Sequence, residues 1–213
     1  MDLDLGRGTV RRFGGLDVYV PAAASGPGAQ QLRFPAVVWL GPLDTTLTSA
    51  VDDAVAPRRI APVGLVAAGR GGADDARDRA LAARPQLPVR ADRAAWGIAA
   101  DGNGACPLAA ALRSPDRFAA AAGPLCDLGR SPTSAAPGAL SLLGTVAAYS
   151  AGNADPDATL ARAAAGVTAP ATFTGYVVAA GASRPAAVLD WLGTRLPGPV
   201  RDTADTRDTD VPA

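Results

Sequence analysis

The chain has 213 residues, enough for one domain with a sizeable core. Its 20 basic residues are all Arg and its 20 acidic residues all Asp, so the net charge is zero and Lys, Glu and His are absent. Scattered Arg without a basic face excludes a nucleic-acid footprint, and no apolar run reaches the length of a membrane span. With no His and two separated Cys, neither a metal nor another cofactor is expected. Residues 1–8 carry two Asp and no long apolar region, which does not read as a signal peptide. The chain as given is therefore expected in the cytoplasm, or exported if it is a fragment of a longer protein.

Residues 16–20 (LDVYV) alternate and stop at Pro21, a strand signal. Residues 22–31 are small and polar, a loop. Residues 34–40 (FPAVVWL) form a buried strand closed by Gly41 and Pro42. Residues 50–59 read as a helix, with Ser49 as cap and Val51 and Val55 on one face. Residues 60–68 are the next strand. Residues 74–84 are a helix with Asp at its start and Arg at its end, in agreement with the helix dipole.

Residues 95–99 are an apolar run of strand length, 101–104 a cluster of turn formers, and 106–112 an Ala-rich helix. Ser114-Pro115-Asp116 stops that helix and residues 118–122 are again apolar. Residues 129–138 read as a loop, 140–150 as a strand, 159–166 as a short helix and 172–180 as the last strand. Residues 185–196 are the last helix, with Leu189, Leu192 and Leu196 on one face. From Gly198 the chain is polar and aperiodic, so residues 1–200 are expected as one domain and 201–213 as a disordered tail. The alternation of strands and helices predicts an α/β fold, a mostly parallel sheet with helices on both faces.

A strand entering a helix through a Gly-rich turn is the context of a nucleophile elbow. Here the turn reads Ala100-Asp101-Gly102-Asn103-Gly104, and the phrase Arg113-Ser114-Pro115-Asp116-Arg117-Phe118-Ala119 follows. Upstream stand Val18-Tyr19-Val20-Pro21 and Ile60-Ala61-Pro62-Val63. In this order the phrases resemble the α/β-hydrolase esterases, above all the esterase D-like and mycolyltransferase-like branch, over residues 8–196. The resemblance implies an α/β-hydrolase fold. It places the nucleophilic serine of Gly-x-Ser-x-Gly at Gly102, which has no side chain. It places the oxyanion region at Gly41, Pro42 and Asn103, where Pro42 has no N–H to donate and Leu40 stands in place of a histidine. The triad acid falls on Asp155, in Gly152-x-x-Asp155-Pro156, a position that reads equally well as a turn former. The base falls on Ala182 or Ser183, neither of which is an imidazole.

Other nucleophiles fare no better. Asp101 lies one residue before the apex, and a carboxylate nucleophile also needs a histidine to release its ester. Cys106 and Cys126 lie off the apex and read as buried free thiols in a cytosolic chain, or as a disulfide in an exported one. The expectation is a catalytically inactive esterase-like homologue, serving as a scaffold or as a binding protein for a partner or a small acyl or ester ligand. Two alternatives remain: an ester hydrolase or acyltransferase with a non-standard site, and a structural or interaction module of a larger exported protein.

Overall fold

The computed structural model describes residues 6–25, 28–69, 71–102, 106–114, 116–124, 145–150, 172–177 and 184–202, with 145–150 and 172–177 described as backbone. Its centre is an eight-stranded sheet. The strands are β1 (Thr9–Phe13), β2 (Leu16–Val20), β3 (Ala36–Trp39), β4 (Gly64–Ala67), β5 (Trp96–Ala99), β6 (Ala120–Pro124), β7 (Thr145–Ser150) and β8 (Thr172–Val177). Their spatial order is β1-β2-β4-β3-β5-β6-β7-β8. From β4 through β8 all pairings are parallel, while β2 is antiparallel to both β1 and β4.

Strand β1 goes unread in the sequence. Its four leading residues are exposed, so it shows no buried face, and it lies at the sheet edge. What forms it is the turn. Gly14 (φ 53°) and Gly15 (φ 81°) supply the two positive φ angles that a tight two-residue hairpin needs, and Phe13 pairs with Leu16 across it.

The inner strands are buried on both faces, which is why they read as unbroken apolar runs. Their side chains alternate between two cores. Ala36, Val38, Val66, Trp96 and Ile98 pack on one face with helices α2 (Gly72–Ala82) and α3 (Pro107–Arg113). Val37, Trp39, Leu65 and Ala99 pack on the other with α1 (Thr45–Val55) and α4 (Arg184–Gly193). Leu189 and Leu192 are buried on α4, which ends at Gly193 and not at residue 196; Leu196, in the turn that follows, is buried with them.

Several boundaries differ from the sequence reading: the strand read at 60–68 spans Gly64–Ala67, the helix read at 74–84 spans Gly72–Ala82, and two further differences have clear causes. Helix α1 begins at Thr45, and its cap is Asp44, whose Oδ1 accepts the Leu47 N–H at 2.8 Å. Ser49 is inside the helix. The Thr-rich first turn hides this start, because Thr has poor intrinsic helix propensity and an Asp cap with a buried Leu47 overrides it. The chain after Gly198 is also held further than its polarity suggests. Val200 and Arg201 pair antiparallel with Leu32 and Arg33, and Asp202 forms ion pairs with Arg33 (3.0 Å) and Arg84 (3.2 Å). Residues 203–213 and the short helix read at 159–166 lie outside the described residues.

The phrase after α3 has a structural role. Ser114 Oγ donates to Asp74 Oδ2 at 2.7 Å, and Arg117 Nη1 to Asp78 Oδ1 at 2.5 Å, both acceptors on α2. The hydrogen bond to Asp78 is the first cause that holds the Arg117 guanidinium above its usual pKa. Phe118 is fully buried, and so is Trp96, whose indole N–H donates to the Arg90 carbonyl at 2.8 Å. The Arg77 guanidinium covers the Trp96 ring at 5.4 Å from its centroid. These contacts seat α2 and the α3–β6 connection against β5, the strand that leads into the turn at Gly102.

Candidate active site

In an open parallel sheet, ligands bind outside the carboxyl ends of the strands, where the chain order reverses direction. Here that point lies between β3 and β5. From β3 the chain runs through α1 on one face to β4. From β5 it runs through α3 on the other face to β6. The two departing segments diverge, and they begin at Leu40-Gly41-Pro42 and Ala100-Asp101-Gly102. The Leu40 N–H donates to the Ala99 carbonyl at 2.7 Å, which extends the β3–β5 ladder to the rim of this crevice.

Gly102 follows β5 by three residues and has φ 152°, a value that favours glycine. Apart from its chain neighbours, no described residue has an atom within 4 Å of where its Cβ would be. Asp101, before it, is half-buried. The turn is anchored from behind. Ala100 N–H donates to the Ala122 carbonyl (3.2 Å), and Pro107 begins α3. Gly123 on β6 allows this close approach: a Cβ there would lie 2.6 Å from Pro107 Cγ and 2.9 Å from the Ala100 oxygen.

Beside the β3 exit a cavity of about 470 Å³ is lined by Leu40, Gly41, Pro42, Ala68, Gly69 and Asp17. It is mainly apolar. Gly41 packs against the Trp39 indole, with the position of its Cβ 3.3 Å from Trp39 Nε1. The structure thus puts Gly41 and Pro42 at the mouth of a cavity, and Gly102 at the adjacent strand end but not in the cavity lining. Asn103, Asp155, Ala182 and Ser183 lie outside the described residues, so the described part of the crevice contains Gly41, Pro42, Asp101 and Gly102. Sequence reasoning missed Asp17 and Gly69 as lining residues. Their signal is topological, because the antiparallel β2 places Asp17 beside the carboxyl end of β4 only once the strand order is known.

Of the two cysteine readings, the free thiol is corrected and the disulfide alternative holds for Cys106. Cys106 is not a free thiol; its sulfur is in a disulfide. Cys126, the other cysteine of the chain, lies outside the described residues and follows the end of β6 by two positions. The parallel pairing of β5 and β6 ends both strands at the same edge of the sheet. Cys106 also caps α3, its Sγ accepting the Ala109 N–H at 3.3 Å. Among the described residues no three metal-ligating side chains gather, and no helix is long and apolar enough to cross a membrane.

No protein-family model and no curated protein matches the sequence. Solved structures do match the fold. A ferulic acid esterase is similar over 85% of this chain and 92% of its own, at 13% identity and a TM-score of 0.55. An S-formylglutathione hydrolase from Staphylococcus aureus is similar over 84% of this chain and 88% of its own, at 10% identity and a TM-score of 0.50. At this identity the likeness is one of fold, and the fold is that of esterase-like α/β-hydrolases.

Proposed function

We propose that this chain is an esterase-fold binding protein without hydrolytic chemistry, a single domain through about residue 200 by the extent of its core elements. Gly102 takes the nucleophile position, Asp155 is the residual acid, and Ala182 or Ser183 occupies the place of the base. The observation that carries this reading is Gly102 itself. It sits at the exit of the central strand, with a positive φ and no side chain, in a sequence without His or Lys. A hydroxyl needs a base to take its proton. The remaining candidates are Asp carboxylates, with an ordinary pKa of about 3.9 that is poorly matched to the task, and Arg, which has no proton-accepting form. Pro42 further deprives the oxyanion region of an N–H.

The cavity beside Gly41 and Pro42 supports retention of ligand binding, for a small acyl or ester group against its apolar wall. The bonded sulfur of Cys106 supports an oxidising compartment, and with it export of the protein. The test pairs turnover with binding. Hydrolysis of p-nitrophenyl acetate and butyrate is expected to stay at the rate of heat-denatured protein. The uncleavable analogue N-(4-nitrophenyl)acetamide is expected to quench tryptophan fluorescence saturably, through Trp39 beneath Gly41, and Leu40→Arg is expected to abolish that quenching. Turnover above the denatured control contradicts loss of chemistry. Absence of saturable quenching contradicts ligand binding at this cavity.

A further inference from the structure

At the opposite, amino-terminal edge of the parallel strands lies a second cavity, of about 220 Å³. Three arginines line it: Arg11 on β1, Arg33 shortly before β3, and Arg84 after α2. Phe13, Val20 and Leu87 supply an apolar wall, and no carboxylate belongs to the lining. The carboxylate that reaches the cluster is Asp202, delivered by the pairing of Val200–Arg201 with Leu32–Arg33. Its single oxygen Oδ2 serves two guanidiniums, 3.0 Å from Arg33 Nε and 3.2 Å from Arg84 Nη2. The service is incomplete. Arg84 Nε is buried without a hydrogen-bond partner, and Arg33 Nε is close to Asp202 but off the line of a hydrogen bond. Arg11 donates Nε–H to Thr9 Oγ1 at 3.3 Å and meets no carboxylate among the described residues. Among the described residues, three positive charges therefore face one negative charge.

We propose that this cleft binds an organic carboxylate with a compact apolar body, and that Asp202 is its tethered competitor. Guanidinium forks match the planar carboxylate, and Arg33 and Arg84 already pair with one, the Asp202 side chain at the edge of the cleft. The ligand's carboxylate takes the place of the Asp202 side chain and draws Arg11 into the cluster, while its apolar part lies against Phe13, Val20 and Leu87. The volume is below the usual range for drug-sized ligands, about 300–1,000 Å³, so the body is small. Inorganic phosphate satisfies the arginines but leaves the apolar wall uncovered, and it binds more weakly.

The test is calorimetric titration of the full chain with benzoate, its neutral isostere benzamide, and inorganic phosphate. Benzoate is expected to bind at one saturable site, benzamide not to bind, and phosphate to bind about tenfold or more weakly, as one carboxylate-sized set of charge-assisted bonds without apolar contact. Asp202→Asn is expected to tighten benzoate about tenfold by removing the competitor. Arg84→Gln is expected to weaken it about tenfold or more. Arg11→Gln, at an exposed edge position that carries no folding risk, is expected to weaken it as well. No benzoate binding by wild type and Asp202→Asn overturns the proposal. So does benzamide or phosphate binding as tightly as benzoate, or Arg11→Gln and Arg84→Gln leaving benzoate unaffected. Unchanged affinity in a folded Asp202→Asn refutes the competitor. If the variants at 84 or 202 lose their native circular dichroism, the wild-type ligand series and Arg11→Gln decide alone.

Discussion

Gly123→Ala tests how the turn at Gly102 is seated. The added methyl would lie 2.6 Å from Pro107 Cγ and 2.9 Å from the Ala100 carbonyl oxygen, with the Ala100 nitrogen at 3.3 Å. None of these atoms yields easily. Pro107 is a ring in the first turn of α3, and Ala100 is pinned by its N–H bond to Ala122. Relief requires the whole turn to shift away from β6. Overpacking of this kind costs about 1–3 kcal/mol, and a clash with backbone belongs at the upper end, about 3 kcal/mol. Gly102→Ala is the matched control. Among the described residues beyond its chain neighbours nothing lies within 4 Å of its Cβ position, so the cost is that of a β-carbon at φ 152°, about 1–3 kcal/mol, a strain that Gly123→Ala at φ 159° carries in addition to its clash. Urea unfolding followed by tryptophan fluorescence gives both numbers from midpoints at unchanged slope. A cost under about 0.5 kcal/mol for Gly123→Ala, typical of an unconstrained surface site, would refute the close approach. A larger cost at Gly102 than at Gly123 would refute the open surroundings of Gly102 among the described residues.

Two further outcomes follow from the core and its charges. Phe118→Ala is expected to destabilise the chain by about 3–5 kcal/mol, because the ring is fully buried against β5; a loss below about 1 kcal/mol in chemical denaturation is incompatible with that placement. The second concerns alkaline pH. Tyr19 is buried, and its hydroxyl donates to Asp52 Oδ1 at 2.6 Å; burial first, then that hydrogen bond, hold its pKa well above the ordinary value. Below the unfolded pKa of about 10 both states keep the proton and this contribution to stability is complete. As pH rises past about 10 the unfolded chain loses the proton while the folded chain retains it, so stability falls by about 1.4 kcal/mol per pH unit. With no Lys in the chain, tyrosines dominate this range. Tyr19→Phe is expected to remove most of the slope between pH 10 and 11 in urea midpoints, and an unchanged slope would assign it elsewhere.

Much of the fold was legible because the inner strands are short apolar runs punctuated by Gly, Pro and Asp. Residues 96–99, the turn at Gly102 and the helix after Cys106 fall where the sequence places them, since each boundary carries its own local signal. Edge and terminal elements were less legible, because their cause is remote. Strand β1 is polar and exists through its pairing with β2, and the Val200–Arg201 ladder exists through Leu32 and Arg33. The site was legible only in part. Gly41, Pro42 and Gly102 stand at strand ends, which periodicity reveals. Asp17 reaches the cavity, and β5 and β6 end at one edge, only through strand order. The Arg11–Arg33–Arg84 cluster gathers residues from three separate segments, and no local pattern in the sequence announces it.

The most direct test of the proposed lack of hydrolytic chemistry is intact-mass analysis after exposure to a fluorophosphonate, which forms a stable adduct with an activated serine. The wild type is expected to gain no adduct. Gly102→Ser is also expected to gain none, because the new hydroxyl would have no imidazole to take its proton and Pro42 would still lack an N–H. Stoichiometric labelling of the wild type at one serine would contradict the account, and the labelled residue would identify the working nucleophile.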